Sequence, residues 1–116
     1  MKITSSIDIF RKPEDIFPWA ADPDKARKWQ KNVKGGEITK STREIVGTTF
    51  KETMEENGST LEMVGTITGY EQNKSIGFHL ESKIHIVDVE YTIREEGEKS
   101  KFTVRANIRL SLIHIS

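Results

Sequence analysis

The sequence contains no cysteine. That excludes a disulfide framework, a thiolate metal site and a thiol nucleophile, and it suits the cytoplasm. No apolar run approaches the roughly 20 residues a helix needs to cross a bilayer. The opening MKITSSIDIF has no basic segment followed by a long apolar core, which argues against a signal peptide. Charge of one sign is also missing: 18 Lys+Arg face 18 Asp+Glu, for a formal net charge of +0. A balanced chain does not present a broad nucleic-acid surface. Internal repeats, linkers and low-complexity segments are absent. What remains is one domain of 116 residues, large enough for a modest core.

Proline is scarce as well, and Pro13, Pro18 and Pro23 all fall in one early stretch, KPEDIFPWAADPDKARKWQK over residues 12–31. Pro13 suits a first helical turn, and Glu14 and Asp15 place negative charge at the positive end of the helix dipole. Ile16, Phe17, Trp19 and Ala20 supply apolar surface, while Pro18 requires the helix to be short or kinked. Asp22 is a good N-cap with Pro23 at the next position, so a second helix starts there and runs towards Trp29. The expectation is two short helices meeting at an Asp-Pro corner.

Everything else alternates with the period of a strand. Ile3, Ser5, Ile7 and Ile9 share one face of the first run. Gly35-Gly36 marks a turn or a bulge, and a second strand is expected over 37–42. In 48–56, Phe50 and Met54 oppose Lys51, Thr53 and Glu55, and Asn57-Gly58 then signals a hairpin. In 60–71, Leu61, Met63 and Ile67 share the apolar face with Gly65 and Gly69, where missing side chains let a sheet bend. Ile76, Phe78 and Leu80 face inward in 75–82, leaving His79 outward and solvated. His85, Val87, Val89, Tyr91 and Ile93 face inward in 84–95, as do Phe102, Val104, Ala106 and Ile108 in 100–108. The resulting order, β-α-α-β6, predicts an α+β fold with a curved antiparallel sheet whose apolar face two short helices cannot fully cover.

The final residues LSLIHIS match the translation of CTG TCT CTT ATA CAC ATC TCN, which looks like a transposon-end adapter. We expect a domain over 1–109 and a non-native tail over 110–116. The alternative is a natural final strand, because Leu110 and Leu112 keep the inward parity of Ile108.

The β-α-α-β6 order, the Pro13-Glu14-Asp15-Ile16-Phe17 helix opening, the Asp22-Pro23…Trp29 segment and Gly47-Thr48-Thr49-Phe50 together resemble the SRPBCC (START/Bet v 1-like, helix-grip) superfamily, of the polyketide cyclase/dehydrase type. The resemblance spans residues 1 to about 109. It implies a concave sheet that grips a long C-terminal helix around an apolar cavity. No such helix is written in this sequence, so the resemblance also implies a C-terminal truncation.

A cavity of that kind works by shape and apolar burial, with few polar groups. Candidate ligand contacts are Phe50, Met54, Met63, Phe78, His85, Tyr91 and Phe102, with Trp29 near the mouth. The phenylalanines and methionines equally serve as core. His85 and Tyr91 put polar tips on an apolar face, where an imidazole can act as acid or base and a phenol can donate to an enolate oxygen. His79 and His85 lack the spacing and carboxylate company of a metal site, and Gly35-Gly36 lacks phosphate-loop context, so neither metal nor cofactor is called for. The basic run from Lys25 to Lys34 reads as a solvated face rather than an RNA platform. The function expected is binding of a hydrophobic or amphipathic molecule such as a lipid, quinone or polyketide. The alternatives are a polyketide cyclase/dehydrase-type enzyme using His85 and Tyr91, and a chaperone-activator-like domain that binds a protein partner.

Overall fold

A computed structural model of the chain describes residues 1–30 and 33–111. Its elements run β1 (Lys2–Ile9), α1 (Pro13–Ala21), α2 (Pro23–Ala26), β2 (Val33–Lys40), β3 (Thr49–Glu56), β4 (Ser59–Glu71), β5 (Ser75–Glu81), β6 (His85–Glu96) and β7 (Lys99–Leu110). Pro13 opens α1 with Glu14 and Asp15 in its first turn, and the helix carries Pro18 within nine residues. Asp22 Oδ1 accepts from the Asp24 N–H at 2.9 Å and caps α2. That second helix is shorter than expected, with turns rather than helix leading to Trp29. No helix follows β7 among the described residues, and none of the described helices is long and apolar enough to cross a membrane.

The strands form one antiparallel sheet in the order β1-β7-β6-β5-β4-β3-β2. Consecutive strands from β3 to β7 pair through short turns and β2 joins β3 through the longer segment 41–48, whereas the helices carry the chain from one sheet edge to the other. At the Asn57-Gly58 turn both φ angles are positive, 52° and 80°, as a two-residue hairpin requires. Two local expectations need correction. Strand β2 starts at Val33 rather than near residue 37, because Gly35-Gly36 forms a bulged part of the strand instead of a turn. A Cβ on Gly36 would stand 2.8 Å from the Lys51 carbonyl oxygen, so only glycine permits this approach. In β4 the register shifts between Ile67 and Gly69, which turns Gly69 to the outer face opposite Gly77 and brings Tyr70 inward opposite Ile76. The tail expectation falls largely on residues 112–116, outside the described residues; Leu110 still pairs with His85.

Packing is uneven. Ile16, Phe17 and Ala20 of α1 join Ile76 and Ile93 in the buried core, with Tyr70, Phe78, Tyr91 and Phe102 partly buried around it. The Phe17 and Tyr70 rings meet edge-on at 5.6 Å. Ser100 is fully buried, and its hydroxyl donates to the Arg11 carbonyl at 2.8 Å, tying β7 to the segment that enters α1. Away from α1 the inward face is open: Ile3, Ile7, Ile38 and Leu110 have inward parity yet are exposed. The core therefore occupies one end of the concave side, and the remainder of that side is space.

Gly65 shows how the curve is filled. It pairs with Phe50 on one side and Leu80 on the other, and the Phe50 ring lies directly over its Cα. A Cβ there would collide with that ring and stand 2.8 Å from Leu80 Cδ2. Gly65→Ala is expected to destabilise the fold by about 1–3 kcal/mol, the usual range for overpacking. Urea unfolding checks this, and an unchanged midpoint would contradict the packing described.

Candidate functional site

Strand alternation places Phe50 and Glu52 of β3, Phe78 and Leu80 of β5, and Val89 and Tyr91 of β6 on the same inward face, through the pairings of β3 to β6. Helices α1 and α2 approach one side of this face. The segment between β2 and β3 approaches another, held where the Gly47 N–H donates to Ile67 O at 2.8 Å and the Ile67 N–H to Thr48 O at 2.9 Å. Between them lies a cavity of about 320 Å³, whose lining includes Ala26, Gln30, Phe50, Glu52, Phe78 and Tyr91. Ile45 reaches it from a backbone φ of 71°, a rare conformation for a β-branched residue. A second cleft of about 660 Å³ opens beside β1 and α1, lined in part by Ile7, Trp19, Trp29 and Phe102.

Five of the eight candidate residues meet as a chain of edge-to-face aromatic contacts. Phe50 touches Phe78 at 5.9 Å, Phe78 touches Tyr91 at 6.0 Å, Tyr91 touches Phe102 at 5.6 Å, and Trp29 covers Tyr91 at 6.2 Å. Such pairs add about 0.5–1.5 kcal/mol each beyond their burial. Phe50, Phe78 and Tyr91 line the smaller cavity and Trp29 and Phe102 the larger cleft, so Tyr91 borders the first and touches two residues of the second. Trp29 is half exposed, its indole N–H donating to the Trp19 carbonyl at 2.7 Å. Lys25 and Lys28 lie 5.0 and 5.9 Å from the Trp19 ring, which accounts for part of the basic run.

The remaining three candidates lie elsewhere. Met63 is buried, Met54 is half-buried, and neither borders these two cavities. His85 faces inward but sits six residues from Tyr91 on the same strand, about 20 Å away at ~3.3 Å per residue. An acid–base pair of His85 with Tyr91 on one small ligand is therefore not available. Among the described residues, no cluster of three His, Cys, Asp or Glu side chains is placed to hold a metal.

Sequence reading missed Glu52. It follows the inward parity of Phe50 and Met54, so a carboxyl group enters an apolar wall, and the signal was a charged residue midway between two inward apolar ones. Burial raises its pKa above the ordinary 4.5, with the positive charge of Arg27 opposing the rise. Burial likewise raises the Tyr91 phenol above 10.0; a hydrogen bond from Gln30 opposes this and the nearby Glu52 charge adds to it.

On the outer face, His79 is not simply solvated. Its Nδ1 lies 2.6 Å from Asp88 Oδ1 and its Nε2 3.0 Å from Glu81 Oε1, while Arg109 holds the other oxygen of Asp88 at 3.2 Å. The hydrogen bonds to Glu81 and then Asp88 raise its pKa above 6.5. A proton bound more tightly when folded stabilises the fold below the unfolded-state pKa and is lost as pH rises through the folded-state value. Stability is thus expected to fall as pH rises above 6.5 through His79, and above 4.5 through Glu52. Thermal unfolding across pH should show His79→Gln removing the upper decline and Glu52→Gln the lower one. Unaltered pH profiles in both variants would contradict these environments.

Comparison with known proteins bears on this geometry. No curated protein matches the chain. Among solved structures, a START superfamily protein from Mycobacterium smegmatis superimposes with a TM-score of 0.82 at 14% identity, over 96% of this chain and 78% of that one. The Zhui aromatase/cyclase from Streptomyces sp. R1128 gives 0.81 at 9% identity, over 96% and 68%. Ginseng major latex-like protein 151 from Panax ginseng gives 0.76 at 12% identity, over 100% and 83%. These likenesses establish the helix-grip fold. The family model for polyketide cyclase / dehydrase and lipid transport matches residues 1–113, and the chain belongs to that family.

Proposed function

We propose that the protein binds a hydrophobic or amphipathic small molecule, such as a lipid, quinone or polyketide-like compound, on the concave side of its sheet, and does so in the cytoplasm. The observation that carries this reading is the aromatic chain from Phe50 through Phe78 and Tyr91 to Phe102, which borders two spaces rather than filling them. A cavity of about 320 Å³ lies at the small end of the usual range for ligand sites, and its walls are mainly apolar with a few polar groups. Membership of a family whose description includes lipid transport supports the same reading.

A second reading, an enzyme of the cyclase/dehydrase type, is favoured by Glu52 and Tyr91 sharing one cavity. A desolvated carboxylate can take a proton from a carbon beside a carbonyl, and a phenol can donate to the resulting enolate oxygen. Glu52, rather than His85, supplies the acid–base group in this reading.

Native mass spectrometry on gently purified protein tests the first reading. The expected result is a co-purifying apolar molecule that disappears in the Tyr91→Ala variant. Protein that arrives empty and takes up no hydrophobic dye would contradict it, and a co-purifying protein in place of a small molecule would favour an interaction role.

A further inference from the structure

The smaller cavity is not uniformly apolar: charged Glu37 and Lys51 and the hydroxyls of Ser41, Thr42 and Thr48 are among its lining. Glu52, Gln30, Arg27 and Tyr91 all border it, and Phe50, Phe78, Leu80 and Val89 are apolar residues of its sheet wall. The partners of these four groups determine what they can still bind. Arg27 is already engaged: Nη1 bonds Asp24 Oδ1 at 3.0 Å and Nη2 donates to the Gly36 carbonyl at 3.3 Å. It acts on Glu52 through its field without closing a contact ion pair. The Glu52 carboxyl makes no hydrogen bond among the described residues and remains an acceptor facing the cavity. Gln30 borders the cavity together with Tyr91, and the phenol O–H can donate to an acceptor placed there.

An acceptor and a donor therefore border the same cavity as the aromatic wall. Resting on the binding role put forward above, we infer that Glu52 and Tyr91 form a specificity site for a neutral hydroxyl head group, so that the preferred ligand is an alcohol or phenol with an apolar body. A hydroxyl satisfies both groups at once, donating to the Glu52 carboxylate and accepting from Tyr91. A carboxylate head of the same size meets the Glu52 charge in a partly desolvated space and is disfavoured. An ammonium head meets Arg27 nearby and gains less than its charge alone would suggest. A ligand with no polar head leaves Glu52 facing the cavity without a partner, which forfeits affinity rather than preventing binding. The discrimination lies in Glu52, and the apolar body is held by the aromatic chain regardless.

Three probes with one aromatic body separate these effects: naphthalene, 2-naphthol and 2-naphthoate, measured by equilibrium dialysis near pH 8. The expected order is 2-naphthol tightest, by about tenfold over naphthalene and more over 2-naphthoate, as a hydrogen bond to a charged group gives. Glu52→Gln should strengthen 2-naphthoate and shrink the gap between the two polar probes to about threefold or less, with naphthalene still bound. Naphthalene binding by the variant also reports that it is folded. Equal affinities for the three probes in the wild-type protein, or an unaltered ratio in the variant, would overturn the inference while leaving cavity binding intact. Failure of naphthalene and both derivatives to bind would overturn the binding role itself, and the inference with it.

Discussion

The seating of α1 on the sheet decides where space can exist in this molecule. Ile16, Phe17 and Ala20 press onto Ile76 and Ile93, and each of these side chains is buried. That contact anchors the helices at one end of a concave face that seven strands make much longer than two short helices can cover. The curvature itself comes from the sheet: a bulge after Ile67, another at Gly35, and a glycine at 65 that leaves room for the Phe50 ring. Apolar residues beyond the reach of α1 are consequently exposed or line cavities, although their strand parity is that of a core.

This arrangement gives the inward aromatics a dual role. Their edge-to-face contacts hold the wall together, yet one side of the Phe50–Phe78–Tyr91 series borders open volume. Apolar walls of this kind recognise bulk and shape, and they discriminate poorly among ligands of equal size. Discrimination needs a polar group whose desolvation is only compensated by the right partner. Glu52 is such a group, because burial disfavours its charge and Arg27, whose charge opposes this, is committed to Asp24 and the Gly36 carbonyl. The outer-face cluster of His79, Glu81, Asp88 and Arg109 contrasts with it: each charge there has an opposite charge in contact, so the cluster braces β5, β6 and β7 and leaves nothing over for a ligand.

Much of the fold was legible because strand period is a direct consequence of backbone geometry. Alternation placed Phe50, Phe78, Tyr91 and Phe102 on one face, and the Pro13 and Asp22-Pro23 signals located both helices. Periodicity fails wherever the ladder slips, which is why it puts Gly69 on the wrong face and does not decide between turn and bulge at Gly35-Gly36. It also records which face a residue occupies without recording where along the strand it lies. His85 and Tyr91 share a face but are too far apart to act together. Glu52 went unnoticed for a different reason: a search for apolar residues on the inward face passes over the charged one between Phe50 and Met54. The charge that opposes its pKa rise comes from Arg27, at the end of α2 and distant in sequence, and only the folded chain brings the two together.

The central claim is that the concave cavity, and not another surface, receives the ligand. Nuclear magnetic resonance titration with a small aromatic ligand tests it most directly, with the backbone and aromatic signals assigned. Shifts concentrated at Phe50, Glu52, Phe78 and Tyr91, fading towards His79 and Asp88 on the outer face, are the predicted result. Shifts centred on the outer face, or spread evenly over both, would contradict the account.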